Sequence, residues 1–238
     1  MINLYKLYAF IFQVGFDDED LRYISNLLKS KNIITVFDVG CYIGLFSKGI
    51  SEIFRKKNIN FHLFDPTTIA DVKNNKKHFF TYNKVAISNV NSVKDFYINS
   101  FFPSSGSSLL NITKKDFFWN LSRKLLCLNL YGKYLKKKVT TMTLDKYCTK
   151  NKIKNIDILK IDVEGCEFLV LQGAQSILSK TKVILLEILD HKNIFQSKEK
   201  KIIQMLKKKN FKLIKKKRIW SVSIFSSLKC YDLIFLNS

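Results

Sequence analysis

The stretch VFDVGCYIGLFS (36–47) constrains this chain more than any other. An apolar run ends at the acidic Asp38, Gly40 and Gly44 follow four positions apart, and helical spacing of apolar residues resumes at Leu45. That order predicts a buried strand, a tight turn and a helix N-terminus arranged around a small ligand. Glycine allows close approach of the backbone and positive φ. The free N–H groups opening the next helix attract a carboxylate or phosphate. A dinucleotide fingerprint would need G-x-G-x-x-G, with the pyrophosphate over the middle glycine. Here Cys41, Tyr42 and Ile43 separate the glycines and fill the turn that a pyrophosphate needs. A cofactor with an amino-acid end and a nucleoside end fits better, which points to S-adenosylmethionine.

Elsewhere, strand and helix patterns alternate. Residues 18–29 carry Leu21, Ile24, Leu27 and Leu28 at helical spacing, 33–39 reads as the first buried strand, and 45–54 as a helix. Strands are expected at 60–64, at 85–87 as the third, and at 93–98 as a hairpin partner. Further strands are expected at 139–142, 156–162, 183–188, 211–214 and 231–236, with helices at 144–148, 168–178 and 198–209. Such alternation implies one α/β domain with a mainly parallel sheet covered on both faces. Residues 1–32 read as an N-terminal helical segment and 33–238 as the domain proper. Within it, 99–138 breaks the pattern with a Ser/Gly-rich loop and an aromatic, lysine-rich stretch, placing a substrate-side insertion or lid there.

Ligands of such sheets bind beyond the carboxyl ends of the strands, where Asp38, Asp65, Ser88, Asp162, Glu164 and Glu187 fall. Asp38 can hold the amino group of a methionine moiety, directly or through water, or it can cap the turn. Asp65 can accept from both ribose hydroxyls, or it can simply close an Asp-Pro turn with Pro66. The candidate cofactor set is Asp38, Gly40, Cys41, Tyr42, Ile43, Gly44, Asp65, Pro66, Ala86, Ser88 and Asp162. Lys160 and Asp162 interrupt a strand that should be buried, and burying unpartnered charge is costly. Methyl transfer to oxygen needs a group that takes up the acceptor's proton, and the candidates are Glu164, Glu187, Asp162 and His191. Clustered carboxylates can also hold Mg²⁺ or Ca²⁺, though no metal-binding set is assigned. His62 within a strand and His78 in a basic loop are less well placed.

The formal net charge is +22, which invites a nucleic-acid reading. Yet the arginines are Arg22, Arg55, Arg123 and Arg218, and every other basic residue is lysine. Arginine is preferred for bidentate contacts to phosphate and bases, so biased composition explains the charge better than a nucleic-acid footprint. Attraction to an anionic surface is a third reading. The five scattered cysteines carry no C-x-x-C pair, so neither a disulfide framework nor a zinc site follows, and a reducing cytosol is the default. The apolar, aromatic residues 1–16 are too few to span a bilayer. They suit a helix packed on the domain or a peripheral contact with the inner membrane surface.

These motifs together resemble the FkbM family of methyltransferases. The matching pieces are VFDVGCYIGLFS (36–47), FHLFDPT (61–67), NKVAIS (83–88), SSL (107–109), VTTMTLDKYC (139–148), IDILKIDVEGCEFLVLQGAQSIL (156–178), VILLEI (183–188) and DLIFLN (232–237). The pairing of TLD with LKIDVEGxE is far more specific than the glycine turn. The resemblance implies a class I methyltransferase fold: a Rossmann-like, seven-stranded, mostly parallel sheet with helices on both faces and its last strand antiparallel. It further implies S-adenosylmethionine-dependent methylation of a hydroxyl on a sugar or small metabolite. The family more often has Glu at Asp65, and a small residue plus Asn at Cys41-Tyr42. Two rivals stay open: an RNA ribose methyltransferase, and a non-catalytic scaffold that keeps the fold. The turn Asp162-Val163-Glu164-Gly165 differs from the (Asn/Asp)-Pro-Pro-(Tyr/Phe) turn of amino-methylating enzymes and argues against N-methylation of bases. The sequence leaves the oligomeric state open.

Overall fold

The computed structural model describes residues 18–67, 70–99, 107–110, 134–190, 198–219 and 229–238. In chain order the elements are α1 (Asp18–Leu27), β1 (Ile33–Val39), α2 (Leu45–Ile53), β2 (Asn58–Phe64), β3 (His78–Asn83), β4 (Ala86–Ile87), β5 (Ser92–Asn99), β6 (Tyr134–Met142), α3 (Leu144–Lys150), β7 (Ile156–Ile161), α4 (Glu167–Gln172), β8 (Thr181–Asp190), α5 (Lys198–Lys208), β9 (Phe211–Ile219) and β10 (Lys229–Asn237). A 3₁₀ turn, Leu178–Lys180, precedes β8.

The central sheet has seven strands in the order β3-β2-β1-β7-β8-β10-β9. Its pairs are parallel from β3 to β8, and β10 runs antiparallel to both β8 and β9. This is the class I methyltransferase arrangement, with the chain's last strand reversed. The order changes direction between β1 and β7, and ligands of open α/β sheets sit at such a switch point.

Each face has its own core. On one, Leu21, Ile24 and Leu28 of the α1 region and Ile50 and Phe54 of the α2 region pack on Ile34, Val36, Phe61, Leu63, Ile158, Leu185 and Ile234. On the other, Leu144 and Tyr147 (α3), Val170 and Leu171 (α4) and Ile202 and Leu206 (α5) pack on Phe37, Val39, Leu159, Ile161, Leu186, Leu233 and Phe235. The period-2 alternation of strand side chains sends alternate residues to opposite faces. The long apolar runs of β7 and β8 therefore feed both cores at once, as two-sided burial of a parallel sheet demands.

Several expectations from sequence change. The third strand of the central sheet is β3, not 85–87, so His78 opens a strand, 5% exposed, and does not lie in a loop. Residues 86–87 belong to a separate three-stranded sheet, β4-β6-β5. There β5 pairs antiparallel with β6 from Ser92↔Thr141 to Asn99↔Tyr134, so the hairpin partner of 93–98 lies beyond the inserted segment. The helix expected at 168–178 spans Glu167–Gln172 and ends at Gly173. A Cβ at Gly173 would lie 2.1 Å from the carbonyl oxygen of Ser88, so the second sheet's backbone packs where a helix side chain would stand. The N-terminal residues 1–17 and most of the expected lid lie outside the described residues. Among the described residues no helix is long and apolar enough to cross a membrane.

Candidate active site

The turn after β1 is built around its glycines. Gly40 has φ 81°, Tyr42 φ 46° and Gly44 φ 80°. Gly40 and Cys41 donate to the carbonyl of Phe64 at the end of β2 (2.9 and 3.2 Å), and Gly44 donates back to Cys41 (2.7 Å) before capping α2. A Cβ at Gly40 would sit 1.8 Å from the carbonyl oxygen of Asp162. The ends of β1 and β7 therefore touch, backbone to backbone, and Asp162 N–H donates to Val39 (3.0 Å). The Cys41 side chain is buried beneath the turn, and burial, with Asp38 and Asp65 nearby, pushes its thiol far up. Tyr42 and Ile43 remain half-buried above it.

Four adjacent strands end in charge on one face. Asp38 pairs in register with Lys160, Lys160 with Leu185, and Glu187 with Asp232. The apolar rows of this face thus terminate in Asp38, Lys160, Glu187 and Asp232. Asp38 is fully buried: its Oδ2 accepts from Ser47 Oγ (2.8 Å), and its Oδ1 lies 3.3 Å from Lys160 Nζ. The same ammonium lies 3.2 Å from Asp162 Oδ2 and donates to the carbonyl of Gly40 (3.2 Å). Burial pulls the Lys160 pKa down, but Asp162 and Asp38, the two carboxylates it pairs with, outweigh it and hold the side chain charged. One cation thus ties β1, the glycine turn and the end of β7 together.

Glu187 is pushed well above the usual carboxylate range, first by burial and then by Asp162, Asp232 and Glu164, with Lys160 pulling the other way. Cys230 Sγ lies 3.6 Å from Glu187 Oε1. Glu164 occupies a strained position, φ 52°, and its carbonyl accepts from Ser108 Oγ (2.9 Å). Non-glycine residues in this region cluster at functional sites. Glu167 opens α4, is 1% exposed and accepts from Gly165 N–H (2.7 Å). Burial raises its pKa to about 7, with Asp162 and Glu164 adding to it and its bonds to backbone N–H groups opposing.

The structure thus brings Asp38, Gly40, Gly44, Asp162, Glu164 and Glu187 to one rim. Asp65 follows β2 there, half-buried, with Oδ1 accepting from Thr67 N–H (2.8 Å) and Thr67 Oγ1 (3.0 Å) in the turn with Pro66. Ala86 lies in β4 of the second sheet, and Ser88, just past β4, is fully buried and donates from its backbone N–H to the Met142 carbonyl (2.9 Å). His191 lies outside the described residues. His62 bonds Tyr147 OH through Nδ1 (2.9 Å), and burial drops its pKa to about 4. Among the described residues no group of three or more His, Cys, Asp or Glu is arranged to hold a metal ion.

Sequence reading gave no role to Ser108, Glu167 or Asp232. Ser108 reaches the Glu164 turn from 56 residues away, a distance that local pattern does not bridge. Asp232 had a readable signal, a charge breaking the apolar run of the final strand.

The sequence matches the model of the methyltransferase FkbM domain over residues 38–213. Among solved structures it is similar to the methyltransferase FkbM from Methylobacillus flagellatus KT: 12% identity, TM-score 0.48, covering 88% of this chain and 45% of that one. It is also similar to a Plasmodium falciparum protein provisionally assigned as a ribosomal RNA methyltransferase (14%, 0.45, 92% and 94%). A third is the precorrin-6y C5,15-methyltransferase from Geobacter metallireducens GS-15 (11%, 0.42, 95% and 92%). None of the curated proteins compared matches the chain.

Proposed function

This chain belongs to the FkbM methyltransferase family, and from that premise we propose that it carries the methyl group of S-adenosylmethionine to a hydroxyl on a sugar or another small metabolite. The observation that carries the reading is the charged row at the rim. Its carboxylates outnumber its cations, Lys160 being committed to Asp38 and Asp162. Such a donor set fits a ligand that bears an ammonium and a sulfonium. The cofactor, when bound, supplies an electrophilic methyl group. The N-terminus of α2 suits its carboxylate, and Asp65, at the end of the neighbouring strand, suits ribose hydroxyls.

Glu164 is the candidate that receives the acceptor's proton. It is less buried than Glu167, its backbone is held by Ser108, and it stands in the turn that follows Asp162. Asp162 and Glu187 flank it and orient the acceptor, and Lys160 Nζ lies 3.2 Å from Asp162 Oδ2. General-base assistance of this kind contributes about 10²–10⁴-fold.

Calorimetric titration of the folded protein with S-adenosylmethionine tests the cofactor half of the reading, and absence of binding favours a scaffold. Incubation with labelled methyl donor and a panel of sugars, small hydroxylated metabolites and RNA tests the acceptor half. Label entering RNA but no sugar or metabolite overturns the acceptor class. Glu164→Gln should lower turnover while leaving cofactor affinity unchanged, and full activity in that variant removes Glu164 as the base.

A further inference from the structure

We propose that Glu187 carries a proton in the unliganded protein and releases it when the cationic cofactor binds, so that cofactor affinity is coupled to pH. This rests on the cofactor reading above and extends it to a proton inventory.

Glu187 stands on β8, between the two strands that bring it like charge. Asp232 is its direct partner across β10, which puts the two Cβ atoms about 5 Å apart on one face. On the other side, Lys160 is in register with Leu185, so Asp162, two residues beyond Lys160, stands level with Glu187. Glu164 joins from the turn after β7. Among the described residues, Lys160 lies against Asp38, Asp162 and the Gly40 carbonyl, and Lys217 on β9 is the register partner of Asp232. Cys230, also on β10, meets Glu187 as a neutral thiol, its pKa pushed far up first of all by burial. Carboxylates this close cannot all ionise, and one retains a proton. Its place between carboxylates on both sides assigns that proton to Glu187, whereas Asp232 has Glu187 on one side and Lys217 as its register partner on the other.

A sulfonium arriving at this rim changes the balance by one positive charge and favours the ionised form of Glu187. The demethylated product, a neutral thioether, lacks that charge while sharing every other group. Comparing the two ligands isolates the effect.

The experiment is calorimetric titration of the full chain at pH 7 with S-adenosylmethionine and with S-adenosylhomocysteine, each in two buffers of different ionisation enthalpy. The expected result is a larger proton release for the methyl donor than for the product. Its affinity should also rise with pH, by up to about tenfold per unit for one coupled proton, relative to a flatter profile for the product. Glu187→Gln should equalise the two releases. Asp232→Asn, which removes a like charge without removing the carrier, should shrink the difference. Equal proton release for both ligands in the unaltered protein overturns the inference while leaving the cofactor reading intact. So does a difference that survives in Glu187→Gln. Absence of binding by either ligand overturns the cofactor reading and this inference with it.

Discussion

The two faces of the central sheet arrive at the same rim with opposite chemistry. On one, β1, β7, β8 and β10 finish in Asp38, Lys160, Glu187 and Asp232. On the other, one residue along, the same strands carry Val39, Ile161, Leu186 or Ile188, and Leu233, all buried. Depth and backbone are the same, so neither dictates the charge. A buried ion pair is often no more stabilising than apolar residues of the same volume, and the apolar face demonstrates that this sheet accepts such residues. The ionic row is thus something that folding alone does not call for, and it lies on the glycine-turn side of the sheet.

The strongest way to break that contrast is Gly40→Ala, which attacks the junction both faces share. The new Cβ meets the Asp162 carbonyl at 1.8 Å with φ at 81°, and we expect a loss of about 5 kcal/mol, or failure to fold, in chemical denaturation. Next is Lys160→Met, which leaves the Asp38 and Asp162 carboxylates facing each other. Removing one partner of a buried pair costs about 3–5 kcal/mol, and cofactor binding should fall with it. Leu186→Ala, on the apolar face, should cost about 3 kcal/mol of stability with cofactor affinity unchanged, the outcome that separates the two faces. Asp65→Ala should do the reverse, weakening cofactor binding by about 1.5–3 kcal/mol with the same denaturation midpoint.

The effect that is smallest at any one pH step is a pH slope. Glu167 is raised from 4.5 to about 7 in the folded chain. Between those values the native state holds a proton that the unfolded chain has lost. Its contribution is therefore fully present below pH 4.5 and is lost as pH rises through 7, at up to about 1.4 kcal/mol per pH unit. Glu167→Gln should flatten that part of the profile measured by denaturation between pH 5 and 8.

Much of this arrangement was legible because its signals are local. The apolar runs and glycines of 33–47, and the charges set into 156–164, give strand, turn and rim from spacing alone. What failed depends on long-range packing. Val85-Ala86-Ile87 looks more like a buried strand than His78–Asn83, whose Phe79 is 50% exposed. The latter nevertheless forms the sheet edge because it pairs with β2 in parallel. The lysines from 212 to 217 hid the length of β9, yet an edge strand tolerates charge that an interior strand would not. Helix α4 ends at Gly173, where the carbonyl of Ser88, just past β4, leaves no room for a side chain. The contact of Ser108 with Glu164 is of the same kind, two short segments joined by the fold.

The contact between Gly40 and the Asp162 carbonyl carries one more implication. Two loops that would otherwise vary and flex separately, the glycine turn after β1 and the turn after β7, are riveted at a point with no slack. A change that widens either loop displaces the other, so the two can vary only together.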